Sequence, residues 1–153
     1  MALVYKDLSK ICVSPSLTIG AVLSFLASNK TSQTLLPAGI ALVVGLNKKL
    51  LGIATDGDIR RGLSNGASLG DSITKIMNSN PFLIEGPLSN SEILLLIANK
   101  IKKENWHKDR LNKIVVVDKD RRVMDLVSFY DLWQKSDVRF KQIGVVGLGY
   151  VGL

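Results

Sequence analysis

Two stretches of sequence that repeat each other decide the fold. Residues 39–55 read GIALVVGLNKKLLGIAT, and residues 112–128 read NKIVVVDKDRRVMDLVS. They align without a gap at an offset of 73 residues. Each consists of an apolar run, a polar turn with two adjacent basic residues, and a second apolar run. Short β-branched-rich runs on either side of a polar turn predict a β-hairpin, so the chain contains the same predicted hairpin twice.

The repeat extends beyond the hairpins. Upstream, residues 17–26 and 88–97 align at an offset of 71 and have the apolar spacing of a helix. Downstream, Ile59 aligns with Leu132. Each half therefore predicts strand, helix, hairpin, helix: a mixed α/β fold of two β-α-β-β-α repeats with approximate twofold symmetry. A half of about 70 residues is marginal alone, so we expect the two halves to share one core.

The turn-rich segment 65–72 is the predicted link between the halves. We expect one domain over residues 1–70 and a second over 71–136. Residues 137–153 are then a linker followed by a short apolar strand and a glycine-rich turn.

Composition excludes several classes of protein. With 46% hydrophobic and 22% charged residues, the chain is neither disordered nor fibrous. The only cysteine, Cys12, cannot form an internal disulfide, and from the N-terminal residues we expect no secretory signal. The longest weakly polar run, residues 34–46, is shorter than the roughly 20 residues that cross a bilayer. We expect a cytoplasmic protein without a membrane partner.

The charge balance favours anionic partners. The chain has 20 Lys and Arg residues against 13 Asp and Glu, a net charge of +7. Nine of the basic residues lie between Lys100 and Arg122. We interpret that cluster as solvated helix ends and turns, not as a nucleic-acid site, although nucleic-acid binding stays an alternative. The only histidine, His107, has no neighbouring ligand types in the sequence, and we expect no metal site.

A polar motif follows the second strand of the first hairpin. Thr55 and Asp58 lie where a strand is predicted to end and a helix to begin. The N-terminus of a helix attracts phosphate, a hydroxyl donates to a phosphate oxygen, and a carboxylate accepts ribose hydroxyls. Arg60 and Arg61 are placed to neutralise phosphate charge. The same spacing of Thr and Asp also fits a helix capping box, and both interpretations stay open.

This arrangement resembles a tandem pair of CBS domains, the regulatory module named after cystathionine β-synthase, over roughly residues 7–136. The family's ligand motif is glycine, a hydrophobic residue, any residue, Thr or Ser, two residues, then Asp. Residues 52–58 match it, and residues 125–131 match it except that Asp125 replaces the glycine.

The resemblance implies that the Thr or Ser and the Asp of each motif bind the phosphate and ribose of a nucleotide. The expected ligand is AMP, ADP, ATP or another adenosyl compound, bound by a homodimer that has no cofactor and no catalytic residue. The predicted ligand-binding residues are Gly52, Thr55, Asp58, Arg60, Arg61, Ser128 and Asp131.

The two motifs differ in ways that predict unequal sites. Glycine at position 52 lets a ligand approach the backbone, whereas Asp125 adds bulk and negative charge if it faces the cleft. The basic pair 60–61 aligns with Trp133 and Gln134. We therefore expect the first site to bind phosphorylated ligands more tightly.

Three glycines near the end of the sequence have dinucleotide-binding spacing: Gly147, Gly149 and Gly152. This stretch is similar to the opening of UDP-glucose and GDP-mannose dehydrogenases. The helix, strand and acidic residue of a working site do not follow, so we expect the truncated start of a Rossmann domain without a functional cofactor site.

Residues 51–61 are similar to CBS pairs attached to sugar-nucleotide enzymes. We therefore expect a regulator of a nucleotide-sugar enzyme. The alternatives are an inactive fragment of an NAD-dependent oxidoreductase and a structural dimerisation module with vacant clefts.

Overall fold

Each half of the chain forms one small three-stranded sheet. The computed structural model describes residues 8–29, 39–104, 113–127 and Leu132. The elements of the first half are β1 (Cys12–Val13), α1 (Ile19–Asn29), β2 (Ile40–Val44), β3 (Leu50–Thr55) and α2 (Asp56–Ser64). Those of the second half are β4 (Leu83–Glu85), α3 (Asn90–Glu104), β5 (Ile114–Val117) and β6 (Val123–Val127). Short 3-10 turns occupy Leu8–Ile11, Leu46–Lys48 and Ile73–Lys75.

The first half has the predicted order β-α-β-β-α, and the second repeats it as far as β6. The closing helix predicted for the second half lies outside the described residues apart from Leu132. That residue is 1% exposed, as is its predicted equivalent Ile59.

Strand register confirms both offsets of the repeat. In the first sheet β1 pairs parallel with β2, with Cys12 opposite Leu42, and β2 pairs antiparallel with β3. In the second sheet β4 pairs parallel with β5, with Leu83 opposite Val115, and β5 pairs antiparallel with β6. The register also shifts at equivalent places, after Val43 in one hairpin and after Val116 in the other.

The two hairpin turns meet at the twofold axis. Lys49 forms an isolated antiparallel bridge with Arg122, its own equivalent at the offset of 73. Equivalent residues can pair with each other only at the axis that relates them. Lys48 and Arg121, also equivalent, both have left-handed backbone, with φ of 58° and 64°. These pairs confirm the approximate twofold symmetry.

The alternation of side chains along the strands builds three apolar clusters. Ala41 and Val43 contribute to a cluster with α1 and α2, and Ile114 and Val116 to one with α3. The opposite faces of the sheets meet in a third cluster, the shared core. Its buried members are Ile11, Ile40, Leu42, Leu50 and Ile53 from the first half, and Val115, Val117 and Leu126 from the second. The expectation of one core common to both halves is confirmed.

The segment that follows the predicted link packs back onto the first half. Ile73 is fully buried in the cluster of α1 and α2, and Ile76 and Met77 lie against it. Asn78 forms an isolated antiparallel bridge with Ile53. Although the predicted boundary assigns residues 71–78 to the second domain, they cover the sheet of the first.

No helix in the described ranges is long and apolar enough to cross a membrane. Within the same ranges, no three His, Cys, Asp or Glu side chains come together as metal ligands would.

Candidate functional site

Thr55 and Asp58 cap the N-terminus of α2. Thr55 Oγ1 accepts a hydrogen bond from the backbone N–H of Asp58 at 3.2 Å. Asp58 Oδ2 accepts from the backbone N–H of Thr55 at 2.9 Å and from its hydroxyl at 2.6 Å. These reciprocal bonds form a capping box, which is one of the two interpretations that the spacing of Thr55 and Asp58 allows.

Asp58 is also held by Arg61. Arg61 Nη2 lies 2.5 Å from Asp58 Oδ1, and the two side chains are 72% and 12% exposed. A carboxylate has about four lone-pair positions, and three of those on Asp58 are occupied. One position remains, so both hydroxyls of a ribose can bind Asp58 only if Arg61 or the Thr55 hydroxyl turns away. Arg60, the other predicted basic residue, is exposed.

Gly52 is buried, and its missing side chain leaves room for the protein's own backbone. A Cβ atom at Gly52 would lie 2.7 Å from the carbonyl oxygen of Asn78 and 3.0 Å from Met77 Sδ. The space that the sequence interpretation gave to an approaching ligand is filled by the segment that bridges to β3. Glycine at this position thus has a packing role, and its role in ligand binding stays a prediction.

A lysine from the second half reaches the same end of the first sheet. Lys113 Nζ donates to the carbonyl oxygen of Gly39 at 2.9 Å. A Cβ atom on Gly39 would lie 3.2 Å from Asp56 Oδ2 and 3.8 Å from Lys113 Nζ. Lys113 and the first turn of α2 therefore meet where the two halves join, next to Thr55.

Sequence reasoning missed this role of Lys113, which counted only as one member of the basic cluster. Its hydrogen-bond partner is 74 residues away in the chain. No local pattern predicts such a contact.

A cavity of about 340 Å³ lies on the other side of Asp58 and Arg61. Its lining residues are Asp58, Arg61, Gly62, Asn65, Gly66, Ala67, Lys75 and Ile76. The size lies within the range of small-molecule sites. Lys75 donates to Asp71 Oδ2 at 2.8 Å, and this hydrogen bond lowers the pKa of the Asp71 carboxyl. The structure thus adds a lysine to the predicted pair of Asp58 and Arg61.

Of the second motif, the described residues include only its beginning. Asp125 lies opposite Val116 as Gly52 lies opposite Val43, so the predicted equivalence of the two positions holds. Asp125 is fully buried, and its Oδ1 accepts the backbone N–H of Leu126 at 2.8 Å. Its carboxylate is thus enclosed by protein in this structure, contrary to the assumption that it faces a cleft.

The remaining predicted residues lie outside the described ranges. They are Ser128 and Asp131 of the second motif, the aligned Trp133 and Gln134, His107, and the three glycines Gly147, Gly149 and Gly152.

Sequence comparison identifies known relatives of this arrangement. Residues 6–65 match the CBS domain family. Arabinose 5-phosphate isomerase KdsD of Pseudomonas aeruginosa is 31% identical over 118 residues, which are 77% of this chain and 33% of that protein. The chain thus spans about a third of the length of this curated relative. Neither similarity shows a dehydrogenase Rossmann domain, so that interpretation of residues 137–153 stays a prediction.

Solved structures share the fold. The CBS domain protein PAE2072 from Pyrobaculum aerophilum, complexed with AMP, has a TM-score of 0.56 and 22% identity over 79% of this chain and 81% of that one. The CBS domain pair of protein MJ0100, in complex with 5′-methylthioadenosine and S-adenosyl-L-methionine, has a TM-score of 0.58 and 22% identity over 81% and 85% of the two chains. The fold and the repeated hairpin define a mixed α/β pair of small domains. This chain has the fold of a CBS-domain pair, its residues 6–65 match the CBS domain family, and it is similar in sequence to the isomerase KdsD.

Proposed function

We propose that this protein is a regulatory module that binds an adenine nucleotide or a related adenosyl compound. The observation that carries the proposal is the N-terminus of α2, capped by Thr55 and Asp58, with Lys113 of the second half bound to Gly39 beside its first turn. Two structural relatives are complexed with adenosyl compounds, AMP in one and S-adenosyl-L-methionine with 5′-methylthioadenosine in the other.

The geometry supports a definite division of roles. The positive end of the α2 dipole attracts a phosphate, and the Lys113 ammonium adds positive charge from the second half. Asp56 and Asp58 in the first turn oppose that attraction. A hydroxyl of the ligand can replace the Thr55 hydroxyl as a hydrogen-bond donor to Asp58. The Thr55 hydroxyl is then free to donate to a phosphate oxygen of the ligand. In this proposal Gly52 allows the segment around Asn78 to pack against β3, and Arg60 and Arg61 supply positive charge near the phosphate.

Ser128 and Asp131 are proposed to form the equivalent site of the second half. The module has no catalytic residue of its own and acts in the cytoplasm on a sugar-nucleotide or sugar-phosphate enzyme. The similarity to KdsD, a sugar-phosphate isomerase, supports the proposed action on a sugar enzyme. Residues 137–153 are proposed to begin a dehydrogenase-like domain. If no adenosyl compound binds, a structural dimerisation module with vacant clefts is the second candidate.

A second capping box in the chain provides a matched control. At the start of α3, Glu92 Oε2 accepts from the backbone N–H and the hydroxyl of Ser89, both at 2.7 Å. Ser89 Oγ accepts from the backbone N–H of Glu92 at 3.3 Å. The bonds from Ser89 lower the pKa of the Glu92 carboxyl. This box has the same local chemistry as Thr55 and Asp58 but no proposed ligand role.

Thr55→Ala is expected to weaken the binding of AMP about tenfold, because it removes one hydrogen bond to the charged phosphate. Ser89→Ala is expected to leave the affinity unchanged. Each variant loses a cap and about 1 kcal/mol of stability, so stability alone does not separate them. Isothermal titration calorimetry measures the affinities. Equal affinity of both variants would contradict the role of Thr55.

The proposed homodimer uses the outer face of α3. Leu95 and Leu96 are 64% and 45% exposed there. Burying leucine side chains in an interface stabilises association, whereas a charge in the same place opposes it. Leu95→Glu is therefore expected to shift the protein to monomer in sedimentation velocity. Leu69→Glu changes a leucine that is 51% exposed in a loop and is expected to leave the dimer intact. A dimer that survives Leu95→Glu, or a monomeric unmodified protein, would contradict this interface.

A further inference from the structure

The two hairpin turns enclose a concave basic surface at the opposite end of β3 from Thr55. This surface, the basic groove, has a volume of about 510 Å³ and is lined by Leu46, Asn47, Lys49, Lys119, Asp120, Arg121 and Arg122. At about 3.3 Å per strand residue, Lys49 lies about 20 Å along the strand from Thr55. The basic groove is thus separate from the proposed adenosyl site.

The basic groove lies on the twofold axis, and its backbone is fixed. Gly45 N–H donates to the carbonyl oxygen of Lys49, and Asp118 N–H donates to that of Arg122, both at 2.9 Å. The turns are joined by a bond of 2.9 Å from Leu50 N–H to the carbonyl oxygen of Arg121. Each half therefore contributes cations to one preformed site.

Among the described residues, acidic side chains pair with only one of the four cations that line the groove. Arg122 Nη1 lies 2.7 Å from Asp120 Oδ2 and 3.5 Å from Asp118 Oδ2. Lys49 and Lys119 have no carboxylate partner within the part of the chain that the structure describes.

Arg121 adds a second, independent observation. Its Nη2 donates to the carbonyl oxygen of Ser79 at 3.2 Å. Its Nε is buried and has no hydrogen-bond acceptor among the described residues. A buried N–H of a charged group without an acceptor is unfavourable, so the surroundings of Arg121 leave its positive charge unbalanced.

We propose that the basic groove binds a phosphorylated small molecule with at least two negative charges. Three cations without carboxylate partners match such a charge, and the guanidinium of Arg121 and the ammonium groups of Lys49 and Lys119 suit phosphate oxygens. The groove has the size of a small-molecule site, and Asp118 and Asp120 on its rim disfavour a longer polyanion such as RNA. Because the anion contacts both turns, its binding favours the paired arrangement of the two halves.

Inorganic pyrophosphate is the probe, titrated into the full chain by calorimetry without divalent cations. We expect one saturable site per chain and a higher melting temperature with pyrophosphate, because a ligand that binds only the folded state stabilises it. Lys119→Gln and Lys49→Gln are each expected to weaken binding about tenfold. Lys119 is exposed and has no side-chain partner in the described residues, so this substitution leaves the fold intact.

Lys48→Gln is the matched control for Lys49→Gln, since it removes the same charge from the same turn but does not line the groove. We expect it to retain the affinity for pyrophosphate. Equal losses in Lys48→Gln and Lys49→Gln would overturn the site in favour of general charge attraction, and the absence of saturable binding would overturn it as well.

A single-stranded oligonucleotide that binds more tightly than pyrophosphate, with the same sensitivity to Lys119→Gln, would replace this proposal by a nucleic-acid interface. Binding of uncharged adenosine to Lys119→Gln separates the two sites. Retained adenosine binding with lost pyrophosphate binding supports the groove, and the reverse result contradicts it.

Discussion

Leu42→Ala is expected to lower the free energy of unfolding by about 3 kcal/mol and to destabilise both halves of the chain together. Leu42 is fully buried in the shared core, where Ile40 and Ile53 of its own half meet Val115 and Leu126 of the other. Removing a buried leucine side chain costs about 2–5 kcal/mol, because the lost burial and the remaining cavity both contribute. The cavity would lie between the two sheets, so neither half can repair it alone.

Two spectroscopic probes test whether the loss is shared. Both tryptophans, at positions 106 and 133, belong to the second half, whereas far-UV circular dichroism reports on the whole chain. In urea, both signals of Leu42→Ala are expected to move to the same lower midpoint. Leu69→Ala, which truncates an exposed leucine, is expected to stay within about 0.5 kcal/mol of the unmodified protein. A fluorescence midpoint that does not move in Leu42→Ala would show that the halves unfold independently.

The architecture could be predicted because each half repeats the same local pattern of apolar and polar residues. The two apolar runs of each hairpin alternate between faces that are both buried, so they appear in the sequence as continuous apolar stretches. The offsets of 71 and 73 residues place β1 on β2 and β4 on β5 in the same register. The pairing of Lys49 with Arg122 at the axis follows from that symmetry.

The candidate site was less predictable, since one residue pair serves two purposes. A Thr and an Asp three positions apart fit both a helix cap and a phosphate–ribose site, and the sequence has no signal that separates them. Lys113 reaches Gly39 only after the two halves pack together. Contacts of this kind depend on the tertiary arrangement, which local periodicity does not encode.

The buried Asp125 shows the same limit. Its alignment with Gly52 predicts the strand position correctly, but the environment of the two side-chain positions differs. At Gly52 the backbone of Asn78 occupies the space that a side chain would need. At position 125 the equivalent space holds a fully buried aspartate side chain, which accepts a hydrogen bond from the N–H of Leu126. Symmetry of the backbone therefore does not imply symmetry of the surroundings.

Gly52→Ala is expected to destabilise the protein by about 1–3 kcal/mol, the usual cost of forcing an extra methyl group into a packed interior. The obstacle is the carbonyl oxygen of Asn78, 2.7 Å from the new Cβ. That carbonyl accepts the N–H of Ile53 at 3.0 Å, and Asn78 N–H donates back to Ile53 at 2.8 Å. The segment can move away only by weakening both bonds, so relaxation does not remove the cost.

Gly70→Ala is the control for this substitution, because the nearest atom to its new Cβ, Ser68 Oγ, is 3.8 Å away. Urea unfolding is expected to show a lower midpoint for Gly52→Ala and an unchanged or slightly higher one for Gly70→Ala, since alanine restricts the unfolded chain. Calorimetry with AMP on the same samples separates packing from ligand approach. If Gly52→Ala kept full stability and lost only AMP affinity, glycine at position 52 would serve the ligand and not the bridge to Asn78. Lost stability with retained affinity in the folded fraction assigns Gly52 to the fold, which is the outcome that the close contact with Asn78 requires.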